Sequence, residues 1–142
     1  MAQNVFLLED EYDYDFKLIG ISCHEKDYRL CWGVNQKMNI SLQRNENDIE
    51  LIIKKSNRHS LHSSYIFIDD EYDNEYNLLT NRSSMGYLIP EKAQADYLLM
   101  IKDENYPISI TDVINNLKEI TFVLTAFEIE VSSLKSKDNL IF

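Results

Sequence analysis

Residues 96–102 read Asp-Tyr-Leu-Leu-Met-Ile-Lys. In an extended chain successive side chains point to opposite faces, so Tyr97, Leu99 and Ile101 line one face and Leu98 and Met100 the other. Leaving such a segment in water forfeits roughly 1.5–3 kcal/mol for each large apolar side chain. A short run that is apolar on both faces reads as a central strand, with other strands on either side of it.

Candidates for those neighbours recur along the chain. Residues 16–22, 49–55, 64–69 and 75–80 are rich in β-formers, and 120–131 closes the chain with Ile120, Phe122, Leu124, Phe127, Ile129 and Val131, with a bulge expected near Ala126. Two stretches read as helices. In 23–38, Ser22 and Glu25 form an S-x-x-E capping box. Tyr28, Cys31, Trp32 and Met38 fall close to one helical face, widened by Leu30 and Val34. Gly33 inside that helix costs on the order of 1 kcal/mol relative to Ala, which suggests that something packs close against it. In 111–119, Thr111 reads as the N-cap and Val113, Ile114 and Leu117 share a face. Pro90 suits the first position of a short helix or turn, because its missing N–H is not required there. The order is β-α-β-β-β-β-α-β: an α+β, two-layer architecture with a mostly antiparallel sheet and two helices. With 142 residues and no Gly/Ser linker, the chain is expected to form a single domain over residues 1–142.

Composition matters chiefly through charge. The formal net charge is −10, from 24 acidic and 14 basic side chains. Glu9, Asp10, Glu11, Asp13 and Asp15 form one run, and Asp69, Asp70, Glu71, Asp73 and Glu75 another, neither containing Lys or Arg; the second lies between the expected strands 64–69 and 75–80 and would form a hairpin tip. Outside these two runs acids and bases balance. The nearest basic cluster is Lys54, Lys55 and Arg58. It is too small to offset that field, so direct nucleic-acid binding and anionic membrane surfaces are disfavoured. No apolar stretch approaches the roughly 20 residues of a membrane span. The N-terminus lacks the basic region of a secretory signal. Cys23 and Cys31, if both helical, are about 12 Å apart by helical rise, too far for a disulfide. Together these point to reduced thiols and a cytoplasmic location.

Three segments resemble the small family named for its motif, IPExxxVDY, found in Bacteroidota. The motif here is Ile89-Pro90-Glu91-Lys-Ala-Gln-Ala95-Asp96-Tyr97, with Ala95 in place of the family's Val. The segment Lys26-Asp27-Tyr28-Arg29-Leu30-Cys31-Trp32 and the ending from Leu134 to Phe142 are similar to other parts of the family. The resemblance implies a cytoplasmic bacterial domain and no particular activity.

Glu91 and Asp96 could serve as an acid–base pair if a pocket held them at a fixed separation. No nucleophile elbow, phosphate-cradling glycine loop or adjacent histidine accompanies them, so no catalytic residue is assigned and no cofactor is expected. Their structural reading is that Pro90 starts a turn, Glu91 complements its N-terminus and Asp96-Tyr97 opens a buried strand. Arg29, between Tyr28 and Trp32, is expected to pair with Asp96 or Glu91, since guanidinium and carboxylate bond bidentately. His59 and His62 have a His-x-x-His spacing but are expected in a polar Ser/Asn/His-rich loop without a C-x-x-C, and the Asp-rich 69–75 lacks a calcium loop's Gly, so no metal is expected. The acidic runs interleave tyrosines. Asp10, Glu11, Tyr12, Asp13, Tyr14, Asp70, Glu71, Tyr72, Asp73 and Tyr76 form the candidate contact surface, rings supplying area and carboxylates steering. The leading expectation is a non-enzymatic module that binds a protein with a basic surface, homo-oligomer formation being left open. The alternatives are an enzyme or accessory subunit with its site around Glu91, Asp96, Tyr97 and Arg29, and a small-ligand binder with a pocket between the sheet and the Trp32 helix.

Overall fold

The structure is a computed structural model that describes residues 15–53 and 55–142. In chain order the elements are β1 (Lys17–Cys23), α1 (Asp27–Met38), β2 (Gln43–Arg44), β3 (Ile49–Ile53), β4 (Arg58–His62), β5 (Ser64–Ile68), β6 (Glu75–Thr80), β7 (Arg82–Ser83), β8 (Gly86–Tyr87), β9 (Tyr97–Lys102), α2 (Ile110–Lys118) and β10 (Val123–Ile129). Short 3-10 turns follow at Pro90–Lys92, Val131–Ser133 and Lys137–Leu140. All eight expected elements are present. The four strands that sequence patterning did not separate are β2, β4, β7 and β8, three of them only two residues long.

The main sheet has six strands in the order β10-β1-β9-β6-β5-β2, every pairing antiparallel. This is an α+β fold with two helices. β9 is central, and Tyr97, Leu98, Leu99, Met100 and Ile101 are all buried. Its two faces enter two different cores. Tyr97, Leu99 and Ile101 pack with Ile19, Ile21, Leu30, Val34, Leu78, Val113 and Leu117 under the helices. Leu98 and Met100 pack with Leu18, Leu79, Leu88, Ile89, Ala95, Leu134 and Leu140 on the opposite face. That second face is covered by irregular chain, residues 81–95 and 131–140, rather than by helix. This explains why so short a strand could afford no polar position.

The β3–β4 pair forms a ribbon of its own, outside the main sheet. Several local expectations are corrected. β1 continues to Cys23, so the Ser22/Glu25 capping box does not form. The N-cap of α1 is Lys26, without a side-chain cap, while the Ser22 hydroxyl donates to the Gln94 carbonyl at 2.6 Å. Cys23 therefore ends a strand and only Cys31 is helical; both are buried and free. The N-cap of α2 is Ser109, which accepts from the Asp112 N–H, rather than Thr111. The irregularity in β10 falls at Leu124, where Ser22 faces Thr125 but Cys23 faces Val123.

The buried face of α1 is Leu30, Cys31, Gly33 and Val34. Tyr28 and Trp32, expected on that face, are 65% and 58% exposed. Gly33 lies against the turn before β10. A Cβ there would sit 2.8 Å from Phe122 Cζ and 3.2 Å from Ile120 Cγ2, so the close packing expected of it is present. Among the described residues no helix is long and apolar enough to cross a membrane.

Candidate functional site

Sheet register gathers acidic chemistry at one end of the molecule. Lys17 of β1 and Tyr76 of β6 both face Ile101 of β9, and Glu75 faces Lys102. The start of β1, the start of β6 and the turn between β5 and β6 thus share one end of the sheet. Lys17 and Tyr76, two strands apart, are about 10 Å from one another by strand spacing. Asp15, the last acid of the first run, is exposed just before β1. Asp10, Glu11, Tyr12, Asp13 and Tyr14 lie outside the described residues.

The second run is the turn between β5 and β6, as its sequence suggested. Asp69 N–H donates to the Asn74 carbonyl at 2.9 Å and Asp73 N–H to the Asp69 carbonyl at 2.8 Å. The Asp69 carboxylate accepts from Glu71 N–H at 2.9 Å, and Asp73 takes a left-handed conformation (φ 59°), which Asp tolerates through local hydrogen bonding. Asn74 is buried and its amide donates to the Tyr106 carbonyl at 2.8 Å, fixing the turn to the loop before α2. Tyr72 stacks on Tyr106 with centroids 4.1 Å apart and planes 17° apart. Both rings retain substantial exposure. A hydrogen bond to Glu71 pushes the Tyr72 hydroxyl's pKa up. Tyr76, expected on the same surface, is instead half-buried against Phe67 under the helices.

The two lysines at this end are already matched. Lys17 pairs with the buried Asp103, and Lys102 lies 3.4 Å from Glu75. Among the described residues Asp69, Asp70, Glu71 and Asp73 have no ion-pair partner. The result is an uncompensated acidic rim around a stacked pair of tyrosines.

The motif segment occupies the other end of the strands, where Tyr97 faces both Ile21 and Thr80. Pro90 opens a 3-10 turn. Glu91 reaches across to the C-terminal segment. One carboxylate oxygen accepts from the N–H groups of Lys135 (2.6 Å) and Ser136 (2.9 Å), and the other from the Ser136 hydroxyl (2.8 Å). Desolvation alone would raise the Glu91 pKa. The hydrogen bonds from its own backbone, Ser136 and Lys135 outweigh it and hold the carboxyl below its usual range. Asp96 accepts from Cys23 N–H at 2.9 Å and from Arg82 at 3.4 Å. The Tyr97 hydroxyl donates to the Glu25 carbonyl at 2.6 Å, and burial pushes its pKa up. Glu91 and Asp96 therefore serve different segments of backbone.

Arg29 bonds neither of them. It pairs with Glu25 one turn away at 2.9 Å and lies 4.9 Å over the Phe122 ring. Arg82 is the guanidinium beside Asp96. Glu25, just ahead of α1, and the Phe122 ring hold Arg29 in place, while Arg82 at the start of β7 carries no local sequence signal.

Two clefts among the described residues bear on the expected sites. One of about 270 Å³ is lined by Cys23, His24, Glu25, Arg82, Asp96 and Tyr97. Burial raises the Cys23 pKa, so this thiol is a poor nucleophile near neutral pH. The other, about 240 Å³, lies on the surface between Trp32 and Phe122 rather than between sheet and helix. Both fall under the roughly 300–1,000 Å³ of typical small-molecule sites.

His59 and His62 lie in β4, not in a loop, and their side chains take opposite faces. His59 is exposed beside Glu50 at 2.6 Å. His62 is buried between the Thr80 carbonyl and the Ser60 hydroxyl, each 2.8 Å away. A carbonyl only accepts, so Nδ1 carries a proton; the Ser60 hydroxyl can donate to Nε2, and burial lowers the ring's pKa and favours that neutral form. Among the described residues no cluster of three His, Cys, Asp or Glu could hold a metal.

Two further organising residues had no signal in the sequence. Asn81 is buried; its amide nitrogen donates to the carbonyls of Ala95 (2.8 Å) and Lys92 (3.0 Å), and its oxygen accepts from Ile89 N–H (2.7 Å). It folds the motif segment around itself. Asp27 accepts from the Ser63 hydroxyl at 2.6 Å, and Ser63 contacts the Thr80 hydroxyl at 2.6 Å. Burial would raise the Asp27 pKa, but hydrogen bonds from Ser63, Tyr28 N–H and Tyr65 lower it overall.

Comparisons with protein-family models, curated proteins and solved structures return no match to this chain.

Proposed function

We propose that the chain is a cytoplasmic protein-binding module that docks a basic surface of its partner on its acidic end. The supporting observation is the acidic rim of Asp69, Asp70, Glu71 and Asp73 around the Tyr72–Tyr106 stack, with Lys17 and Lys102 each occupied by a carboxylate of its own. Asp15, exposed just before β1, lies at the same end. Charge of one sign on an exposed rim steers a basic partner and speeds encounter, while rigid aromatic area supplies contact energy. Nucleic acid and anionic membrane are repelled by the same field. Membership of the IPExxxVDY family is part of this reading. In it the motif is architectural: Glu91 and Asp96 hold backbone, which leaves an enzyme site at Glu91, Asp96, Tyr97 and Arg29 without free chemistry.

The test is affinity capture of a basic partner by the chain and by the Asp70→Asn/Glu71→Gln/Asp73→Asn variant, at about 0.05 M and about 0.5 M salt. The expected result is capture at low salt that weakens at high salt and is lost in the variant. Equal capture by the two forms would overturn the reading.

A further inference from the structure

The β3–β4 ribbon has two unlike faces. Ser60 and His62 point inward and are buried, with Ile49 and Leu51 half-buried beside them. Outward point Glu50 and Ile52 of β3 and His59 and Leu61 of β4. Ile52 is 57% exposed and Leu61 55%. Ile52 faces His59 and Glu50 faces Leu61, so the two aliphatic side chains are diagonal neighbours on one exposed face. The acid on this face, Glu50, is engaged by His59. The turn closing the ribbon carries Lys55, and Arg58 opens β4; both are exposed. Among the described residues neither enters an ion pair.

The ribbon is thus an apolar face with a cationic end, and the β5–β6 turn is an aromatic stack with an anionic rim. The chain carries both halves of a complementary contact. Within one copy they do not meet: Ser63 alone links β4 to β5, and the chain runs from the cationic turn through both strands to the acidic one. We propose that the ribbon of one copy docks on the acidic turn of a second copy, giving head-to-tail association. This rests on the reading of the acidic turn as a docking surface, and it names the basic partner as the chain itself. The contact joins two different surfaces, so each added copy leaves a free turn and a free ribbon, and association continues into a ring or filament. The net charge of −10 per copy opposes it at long range. At about 0.1 M salt the screening length is about 10 Å, which suppresses whole-molecule repulsion but leaves ion pairs in contact largely intact.

The experiment is sedimentation of the chain at about 0.1 M salt over rising concentration. The expected result is an average mass that climbs past the dimer and returns to monomer near 1 M salt. Lys55→Gln/Arg58→Gln disables the ribbon, and Asp70→Asn/Glu71→Gln disables the turn; each variant alone is expected to be monomeric. An equimolar mixture retains one intact ribbon and one intact turn, so it should form a 1:1 dimer and nothing larger. All four positions are exposed, and dimer formation in the mixture itself reports that both variants are folded. A wild-type chain that stays monomeric into the millimolar range, or a mixture without the 1:1 species, overturns the proposal. Retention on a poly-L-lysine matrix separates this failure from that of the docking reading. If wild type stays monomeric but is retained while the turn variant is not, only self-association is lost. If retention does not differ either, both are lost.

Discussion

Glu91 grips Ser136 twice, taking its backbone N–H on one carboxylate oxygen at 2.9 Å and its hydroxyl on the other at 2.8 Å. Through this contact the motif turn fastens the segment that covers the second face of the sheet, where Leu134 and Leu140 are buried. Hydrogen bonds to a charged acceptor are the stronger kind, but Glu91 is exposed, so we expect Glu91→Ala to cost about 1–2 kcal/mol in denaturant unfolding. The pH dependence has a definite sign. The folded pKa lies below the unfolded value of 4.5, so the contribution is present above that value and is lost as pH falls through the folded pKa. Glu91→Gln should remove that part of the acid dependence and speed amide exchange at Lys135 and Ser136. Unchanged exchange at both amides would show that the grip is not what holds the segment.

Asn81 should matter more than any residue of the motif itself. It is fully buried and answers the Ile89 N–H and the Lys92 and Ala95 carbonyls together. Each buried group left unsatisfied costs about 1–3 kcal/mol. We expect Asn81→Ala to destabilise by about 3 kcal/mol or more, and Asn81→Asp to be no better, because a carboxylate cannot donate to the two carbonyls. Urea midpoints measure this; a loss under about 1 kcal/mol for Asn81→Ala would contradict it.

The contrast between Asn81 and β9 shows what a sequence carries on its face. β9 announced itself because burial on both sides demands an unbroken apolar run, and that demand is local. The acidic turn was readable for the same reason: turn chemistry and the absence of cations are properties of a few adjacent residues. Asn81, the Asp27–Ser63 contact and the Arg82–Asp96 pair depend on groups 8 to 36 residues apart, and a single Asn or Arg at a strand end looks the same whether buried or free. Tyr28 and Trp32 misled in the opposite way. Their spacing fits an apolar face, but the sheet takes Leu30, Cys31 and Val34, and the large rings are left outside.

Gly33 offers a test of packing against propensity. In an exposed helix, Gly→Ala gains about 1 kcal/mol. Here the added methyl would meet Phe122 Cζ at 2.8 Å, and the Phe122 ring is itself capped by Arg29 at 4.9 Å. Overpacking of this kind costs about 1–3 kcal/mol. We therefore expect Gly33→Ala to be neutral or destabilising. Gly33→Ala in a Phe122→Leu background should recover the propensity gain, since the ring atom in the way is gone. A thermal shift upward for the single variant would mean that Phe122 moves aside freely.

His62 should set a pH dependence near neutrality. Burial lowers its pKa more than the Thr80 carbonyl and Asp48 raise it, so the folded value lies under the ordinary 6.5. Below 6.5 the unfolded chain takes up a proton that the folded chain refuses. Stability therefore falls as pH drops from about 6.5 toward the folded pKa and levels off beneath it. His24 and His59, the other two histidines, are both exposed. The His62 share is isolated as the difference between wild type and His62→Gln, whose amide can still donate to the Thr80 carbonyl. Unfolding free energies measured from pH 7.5 to 5 should slope downward for wild type and less steeply for the variant. The gap between the two curves should shift as pH falls from 6.5 to the folded pKa and stay constant beneath it. Parallel curves would mean that His62 holds its proton equally well in the folded and unfolded chain, against the direction its burial sets.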